Sequence, residues 1–252
     1  DDISIKFHES KLSHKTFPVL VTDIGGTNSR MRLVKISSTT TDDFIQVDNQ
    51  KLASHDYKSL EDLIRKYLKP YEGTENYPIL AVIGVPGAVM NNKINFLVNI
   101  PHWGECDGEK LSKSLNIQDV HLLNDFVING YGVMGDISLG KDYHKINSAT
   151  ANYKNGPIAI IGPGTGFGHA IGTKSHVDRY HEVFPSEGGH QMFIASTERE
   201  WQYRQYLSKK LKQESIDHEM GLSGPAIPYM FNFFIDVEKM ECKLLDMKDK
   251  DF

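Results

Sequence analysis

Two glycine-rich segments each follow a short apolar run that is rich in β-branched residues. The first reads Asp23-Ile-Gly-Gly-Thr-Asn-Ser-Arg30, and the second reads Gly162-Pro-Gly-Thr-Gly-Phe-Gly168. Glycine permits a tight turn and lets a ligand approach the backbone, while peptide N–H groups and a threonine hydroxyl can surround phosphate oxygens. The segments therefore predict two phosphate-binding turns. A plain β-hairpin would also account for the first, and a mobile loop for the second.

The first turn differs from the common nucleotide-binding motifs. No Gly-Lys-Ser/Thr follows it, as a P-loop requires, and the next segment has the pattern of a strand rather than the helix of a dinucleotide-binding motif. The carboxylate that ends the preceding strand, Asp23, could hold Mg²⁺ through water. The predicted nucleotide-binding residues are Asp23, Gly25, Gly26, Thr27, Asn28, Gly164, Thr165 and Gly166.

An Asn-Asp pair, Asn124-Asp125, stands between a short apolar strand and a helical segment. A sugar hydroxyl is a weak nucleophile until a base accepts its proton, and a carboxylate within hydrogen-bond reach contributes roughly 10²–10⁴ in rate. Asp125 is therefore a candidate general base for the transfer of a phosphoryl group. Asn and Asp are also ordinary helix N-caps, so the pair could have a purely structural role.

The segment Pro185-Ser-Glu-Gly-Gly-His190 places a carboxylate and an imidazole three residues apart across two glycines. A carboxylate accepts hydrogen bonds and an imidazole can donate them, so Glu187 and His190 suit adjacent hydroxyls of a sugar ring. A zinc site is disfavoured because no further His or Cys stands at ligand spacing, and a solvated loop is the structural alternative. Glu219 and Asn99 are weaker candidates, because each alone is typical of a polar surface residue.

Alternating strand and helix patterns surround these residues. Strands are predicted over 17–24, 31–36, 44–52, 79–85, 120–123, 157–161 and 169–173, and helices over 59–68, 126–133 and 198–211. Both halves of the chain contain a strand, a glycine turn and a returning strand, which indicates an α/β protein with a mixed sheet. We expect a flexible N-terminal arm over 1–16, a small α/β domain over 17–121 and a large one over 122–252.

The composition excludes several classes of protein. The 252 residues are 39% hydrophobic and 24% charged, with a formal net charge of −5, so neither a membrane nor a nucleic acid is expected as a partner. Two cysteines are too few for a disulfide framework or a cysteine-rich zinc site, which favours a reducing, cytoplasmic compartment. Targeting to an organelle stays open on these grounds.

Taken together, these segments resemble the bacterial-type glucokinases, which are hexokinases of the actin-like ATPase superfamily. The resemblance covers about residues 17–227, and its pieces follow one another in the order of the family. It rests on the two glycine segments, Leu123-Asn-Asp-Phe126, Glu187-Gly-Gly-His190 and Leu222-Ser-Gly-Pro225. The combination of Asn-Asp-Phe with Glu-Gly-Gly-His is much more specific than the first glycine turn, which many sugar kinases share.

The resemblance implies a two-domain actin-like ATPase fold, ribonuclease H-like, with a cleft between a small and a large domain. It implies transfer of the γ-phosphate of ATP to the 6-hydroxyl of glucose with Mg²⁺. Members of the family are often homodimers, so a homodimer is also implied. Asp125 matches the catalytic base of the family, and the two glycine turns match its phosphate-binding hairpins. The glucose-binding residues of the family match or fall close to Asn99, Asn124, Asp125, Glu187, His190 and Glu219.

The sequence departs from the family after Pro225. Family members continue with a Gly-Gly-containing adenosine-binding element and a C-terminal helix, which residues 226–252 do not match. We therefore expect the large domain to be incomplete at its C-terminus. Two other functions stay open: a glucose-binding regulatory or weakly active protein with an incomplete nucleotide site, and an actin-like ATPase of a different role.

Overall fold

The computed structural model describes residues 16–37, 44–97, 99–134, 144, 146, 156–174 and 181–241. The chain divides into two compact units, Asp1–Ile146 and Asn147–Phe252. The boundary expected between residues 121 and 122 lies inside the first unit, where residues 119–124 form a strand of the main sheet. The expected N-terminal arm lies outside the described residues except for Thr16, which begins the first strand.

A five-stranded mixed sheet forms the centre of the first unit. Its strands are β1 (Thr16–Ile24), β2 (Asn28–Ser37), β3 (Phe44–Ala53), β4 (Leu80–Val85) and β7 (Asp119–Asn124), in the spatial order β3-β2-β1-β4-β7. Strands β1, β2 and β3 are antiparallel neighbours, whereas β4 and β7 run parallel to β1. The carboxyl ends of β1, β4 and β7 therefore meet at one edge of the sheet. A short ribbon pairs β5 (Lys93–Ile94) with β6 (Cys106–Asp107).

The helices of the first unit begin at side chains that cap them. They are α1 (Leu60–Leu68), α2 (Gly108–Leu115) and α3 (Asp125–Met134). The Ser59 hydroxyl accepts from the N–H of Asp62 at the start of α1, and the Asp107 carboxylate caps α2 in the same way. Leucines of α1 and α2 then pack with buried side chains of β1 and β4 in one hydrophobic core. This core therefore supports the strands whose carboxyl ends meet at one edge of the sheet.

Asn92 fixes the outer strand of the sheet, β7. Its Nδ2 donates to the carbonyl of Val120 (2.8 Å), and its Oδ1 accepts from the N–H of Leu122 (2.7 Å), so the amide copies the pairing of a neighbouring strand. Asn92 has a φ of 60°, in the left-handed region that Gly and Asn tolerate best. The strand that ends in Asn124 is therefore held on both sides, by β4 and by Asn92.

We expect Asn92→Gly to lower the free energy of unfolding by ~1–3 kcal/mol, because two hydrogen bonds to β7 are lost while glycine keeps the backbone conformation. Urea unfolding followed by circular dichroism measures the change. Asn91→Gly is the matched control, since Asn91 is exposed and has a φ of 51°. Equal effects of the two substitutions would show that the Asn92 amide does not stabilise the strand.

A three-stranded antiparallel sheet forms one part of the second unit. Its strands are β8 (Ile158–Pro163), β9 (Phe167–Lys174) and β10 (His181–Ser186), in the order β10-β9-β8. The helices α4 (Glu198–Leu211), α5 (His218–Leu222) and α6 (Ile227–Asp236) follow. Helices α4 and α6 share a small core that contains the buried side chains of Tyr203, Leu207 and Phe233.

The strands and helices predicted from the sequence are present, with shifts of a few residues at their ends. The helix predicted over 198–211 has those bounds, and a capping box of Thr197 and Glu200 fixes its start. Strands β5, β6 and β10 and helices α2 and α5 lie where no element is predicted. Within the part of the chain that the structure describes, no helix combines the length and the apolar character needed to cross a bilayer.

Candidate active site

The first glycine turn joins β1 to β2 through three residues, Gly25, Gly26 and Thr27. The N–H of Gly25 donates to the carbonyl of Asn28 (3.1 Å), which closes the turn. A β-carbon at position 25 would stand 2.7 Å from that carbonyl oxygen, so the turn needs glycine there. The predicted phosphate-binding turn is therefore a tight hairpin, and its Thr27 is exposed.

Ser54, directly after β3, holds the first turn in place. Its Oγ donates to the carbonyl of Gly25 (2.6 Å) and lies 2.9 Å from the Oγ of Ser29, and its N–H donates to the carbonyl of Thr27 (3.0 Å). Ser54 is completely buried. The sequence does not single out Ser54, because a serine at the end of an exposed strand has no periodic signal.

Asn99 lies against the same turn. A β-carbon on Gly26 would stand 2.6 Å from the Cβ of Asn99, so the two residues are in direct contact. Asn99 itself is exposed. The structure thus brings a predicted sugar-binding asparagine next to the predicted phosphate-binding turn.

Asp23 is the next-to-last residue of β1 and lies opposite Arg30 in the hairpin. Its Oδ2 accepts from Nη1 of Arg30 at 2.8 Å, and both side chains are more than half exposed. An exposed pair of this kind contributes only ~0–1 kcal/mol, so the carboxylate can still engage a cation. The described residues contain no group of three or more His, Cys, Asp or Glu suited to a metal ion. Mg²⁺ needs no such group, because it keeps several waters and takes one or two carboxylates with substrate phosphates.

Asn124 ends β7, and Asp125 begins α3. The Oδ1 of Asn124 accepts from the N–H groups of Phe126 (3.0 Å) and Val127 (3.1 Å), and its Nδ2 donates to the carbonyl of Gly87 (3.0 Å). Asn124 therefore caps α3, which leaves one amide hydrogen for a ligand. The Oδ1 of Asp125 accepts from the N–H of Phe126 (2.8 Å), and this half-buried carboxylate stands at the helix start.

The candidate base and the first glycine turn lie at the same edge of the sheet. Asp23 on β1 pairs with Gly84 on β4, and Gly84 pairs with Leu123 on β7. Adjacent strands are ~4.8 Å apart, so the end of β7 lies two strands, or ~10 Å, from the end of β1. Open α/β sheets bind ligands at the carboxyl ends of their parallel strands. The first unit therefore places the predicted phosphate-binding turn and the candidate base at the same edge of the sheet.

The second glycine turn consists of Gly164, Thr165 and Gly166, between β8 and β9. The N–H of Gly164 donates to the carbonyl of Gly166 (2.8 Å), which closes this turn. The N–H of Gly224 donates to the carbonyl of Gly164 (2.7 Å). The Leu-Ser-Gly-Pro segment at 222–225 therefore supports the second turn, a role that the sequence alone does not indicate.

Glu219 on α5 lies against the second turn. Its Oε2 accepts from the N–H of Phe167 (2.9 Å), and a β-carbon on Gly166 would stand 2.6 Å from the same oxygen. A side chain at position 166 would therefore displace the Glu219 carboxylate from the turn. The structure thus places Glu219, a predicted sugar ligand, in direct contact with a predicted phosphate-binding turn.

Glu187 precedes and His190 ends a short 3-10 turn, Gly188–His190, that follows β10. The N–H of His190 donates to the carbonyl of Glu187 (3.1 Å). Oε2 of Glu187 lies 3.9 Å from Nε2 of His190, and both side chains are more than half exposed. The turn therefore presents a carboxylate and an imidazole side by side, as sugar hydroxyls require.

Asp217, the N-cap of α5, lies on the other side of His190. Its Oδ1 accepts from the N–H of Met220 (2.7 Å), and its Oδ2 lies 3.3 Å from Nδ1 of His190. The hydrogen bond to Asp217 raises the pKa of the His190 imidazole above its usual value; partial burial opposes the shift, and the charges of Glu219, Asp217 and Glu187 add to it. Asp217 is not a sequence-predicted site residue, although an Asp one residue before a helix is a recognisable N-cap.

The predicted site residues fall into two groups. The first unit contains Asp23, Gly25, Gly26, Thr27, Asn28, Asn99, Asn124 and Asp125, and the second contains Gly164, Thr165, Gly166, Glu187, His190 and Glu219. Each unit thus combines one glycine turn with polar side chains that suit hydroxyl groups.

Comparison with known proteins points to one family. The glucokinase family model matches residues 20–250. A glucokinase of Nostoc sp. (strain PCC 7120 / SAG 25.82 / UTEX 2576) is 33% identical over 218 residues, which are 86% of this chain and 60% of that protein. A glucokinase of Helicobacter pylori (strain J99 / ATCC 700824) is 30% identical over 216 residues, which are 85% of this chain and 60% of that protein. The chain thus spans about 60% of the length of these curated relatives.

Solved glucokinase structures share the fold. The glucokinase of an Antarctic psychrotroph superimposes with a TM-score of 0.67 at 25% identity, over 91% of this chain and 67% of that one. The glucokinase of Balamuthia mandrillaris, solved in complex with glucose, gives a TM-score of 0.62 at 19% identity, over 94% of this chain and 67% of that one. These similarities confirm the predicted fold class, the α/β fold of the actin-like ATPases.

Proposed function

The chain belongs to the glucokinase family, and we propose that it transfers the γ-phosphate of ATP to the 6-hydroxyl of glucose. The observation that carries this proposal is the shared sheet edge, where Asp125, directly after β7, accompanies the glycine turn that follows β1. Phosphoryl transfer to a hydroxyl uses a carboxylate base and a phosphate-binding turn, together with neutralisation of the phosphate charge.

In the proposed reaction, Asp125 accepts the proton of the 6-hydroxyl as that oxygen attacks the γ-phosphorus. The new O–P bond forms while the bond to the β-phosphate oxygen breaks, so ADP leaves with the electron pair. The cap at Asn124 and the hydrogen bond from the N–H of Phe126 fix the carboxylate at the start of α3. A base that is held in this way contributes roughly 10²–10⁴ to the rate.

The remaining polar side chains bind the other hydroxyls of glucose in this proposal. Glu187, Glu219 and the amide oxygen of Asn99 accept hydrogen bonds, while His190 and the amide hydrogens of Asn99 and Asn124 donate them. The exposed pair of Glu187 and His190 after β10 supports this assignment most directly. The full set of proposed glucose ligands is Asn99, Asn124, Asp125, Glu187, His190 and Glu219.

The two glycine turns, residues 25–28 and 164–166, bind the phosphates of ATP in the same proposal. Backbone N–H groups and threonine hydroxyls suit phosphate oxygens, and both Thr27 and Thr165 are exposed. Asp23 would hold Mg²⁺. When bound, this ion would neutralise part of the charge on the phosphates.

A coupled assay of glucose-6-phosphate formation tests this function. We expect turnover that depends on both glucose and ATP. Calorimetry with each ligand alone separates the other two functions: glucose binding without turnover would indicate a regulatory or weakly active protein, and ATP hydrolysis indifferent to glucose would indicate a different ATPase.

We expect Glu187→Gln to raise the KM for glucose by about 10–100-fold, with a change of less than about twofold in the KM for ATP. The amide loses a charged acceptor for sugar hydroxyls, and hydrogen bonds of that kind contribute roughly 1.5–3 kcal/mol each. Initial rates at varied glucose and varied ATP measure both constants. Glu182→Gln is the matched control, because Glu182 lies on β10 and is exposed. A larger effect on ATP than on glucose would show that the pocket is assigned backwards.

A further inference from the structure

His190 stands between two carboxylates, and each of them lies near a different ring nitrogen. Oδ2 of Asp217 lies 3.3 Å from Nδ1, and Oε2 of Glu187 lies 3.9 Å from Nε2. The side chain of Asp217 is only 17% exposed, whereas those of His190 and Glu187 are 56% and 66% exposed. The ring therefore has a largely buried partner on one side and an exposed partner on the other.

The buried partner decides which nitrogen carries hydrogen. An ionised carboxylate only accepts hydrogen bonds, so Nδ1 of His190 must donate to Asp217. The other oxygen of Asp217 accepts from the N–H of Met220, which fixes the carboxylate at the start of α5. A neutral imidazole in this position would have no hydrogen on Nε2, whereas the protonated ring carries hydrogen on both nitrogens.

The exposed side of the ring needs a hydrogen on Nε2. Because Nε2 and Oε2 of Glu187 are 3.9 Å apart, one hydroxyl oxygen can stand at ~2.8 Å from both. That hydroxyl has a single proton, which it donates to Glu187, and so it must accept a hydrogen bond from Nε2 of His190. Since the hydrogen on Nδ1 is already donated to Asp217, this arrangement needs a second hydrogen on Nε2. The ring must therefore be doubly protonated.

We propose that Asp217 is a positioning residue that holds His190 as a cationic double donor, with Nδ1–H bound to Asp217 and Nε2–H directed at a sugar hydroxyl shared with Glu187. This inference rests on the proposed function, because it assigns His190 to glucose. The hydrogen bond to Asp217 and the charges of Glu219 and Glu187 support it, since all of them raise the pKa of the imidazole. The imidazole of His169, on β9, also lies at the turn that contains His190, where it packs against Gly188.

Glucose affinity should then depend on pH in one direction. Below the pKa of His190, the ring carries Nε2–H and the shared hydroxyl is bound. Above that pKa, the ring loses the proton on Nε2, because the hydrogen bond to Asp217 keeps the other hydrogen on Nδ1. We expect the Kd for glucose to rise about tenfold between about pH 6 and about pH 9, because one hydrogen bond from a charged donor is lost.

Asp217→Asn separates this role from simple support of α5, because Asn caps a helix as well as Asp does. Its Oδ1 can accept from Met220, and its Nδ2 then donates to Nδ1 of His190, so the neutral ring carries Nε2–H. We expect this variant to lower the pKa of His190 and to keep the Kd for glucose within about twofold across the same pH range. Asp217→Ser, which also caps, should lower the pKa too.

Histidine-selective ¹⁵N NMR of the full chain measures the pKa and the tautomer of His190 without glucose, and calorimetry measures the Kd for glucose across pH. Asp107→Asn is the matched control, since Asp107 caps α2 and pairs with Lys93, and it should change neither quantity. An unchanged pKa of His190 in Asp217→Asn, or a wild-type Kd that does not rise with pH, overturns the inference. Failure to bind glucose at every pH overturns the proposed function and the sugar-directed part of the inference, while the NMR titration still decides whether Asp217 controls the ring.

Discussion

Asp125→Asn should lower kcat for glucose phosphorylation by roughly 10² or more and leave the Kd for glucose within about twofold. The amide has nearly the shape of the carboxylate but cannot accept the proton of the 6-hydroxyl, so the loss falls on the transition state. Asn124 still caps α3 through the N–H groups of Phe126 and Val127, which preserves the local backbone. Initial rates and glucose calorimetry on the same preparation measure the two quantities.

Asp119→Asn is the matched control for this substitution. Asp119 begins the same strand, β7, and is exposed, so removal of its charge should leave kcat unchanged. A near-normal kcat in Asp125→Asn would remove Asp125 as the base. A loss of glucose binding as large as the loss of kcat would show that Asp125 only holds the sugar.

Gly25→Ala should raise the KM for ATP by about tenfold or more. The added methyl would stand 2.7 Å from the carbonyl oxygen of Asn28, which is backbone and cannot rotate away as a flexible side chain can. The hairpin must therefore open, at a cost of ~1–3 kcal/mol, and the hydrogen bonds of Ser54 to Gly25 and Thr27 are disturbed with it. Initial rates at varied ATP give the KM, and thermal unfolding reports the accompanying loss of stability.

Gly164→Ala is the comparison within the second turn. The nearest atom to a β-carbon there is the carbonyl oxygen of Gly166 at 4.0 Å, an ordinary contact distance. We expect less than about a threefold change in the KM for ATP, because the turn can accept the methyl without opening. Equal effects at positions 25 and 164 would show that crowding does not determine the shape of the first turn.

Local pattern is sufficient for several elements, including two strands of the main sheet. Strands β1 and β4 are short apolar runs that end at Gly25 and Pro86, and α4 begins at a capping box that can be recognised from Thr197 and Glu200 alone. Each of these signals lies within a few residues of the element it predicts. The glycine turns and the Asn-Asp pair are found for the same reason.

The side chains that support the site contact residues that lie far from them in the sequence. Ser54 contacts Ser29 across 25 residues, Asn92 binds Val120 across 28, and Asp217 meets His190 across 27. No hydrophobic period or turn motif encodes a contact of that range, so only the folded chain shows these pairs. The same reason explains β7, which joins the first unit through its pairing with β4 although the expected boundary falls within it.

The extent of the second turn shows a further limit of sequence patterns. The sequence predicts a glycine turn over 162–168 between two strands, but Gly162 and Gly168 pair with each other inside the sheet and leave a turn of three residues. Glycine tolerates strand geometry as well as turn geometry, so its density alone does not mark where a strand ends.

A crystal structure with bound glucose tests the central claim most directly. We expect the sugar beside Asn124, Asp125, Glu187 and His190, with its 6-hydroxyl oxygen within ~3 Å of the carboxylate of Asp125. Glucose bound away from these four side chains, or with its 6-hydroxyl turned away from Asp125, would contradict the proposed reaction.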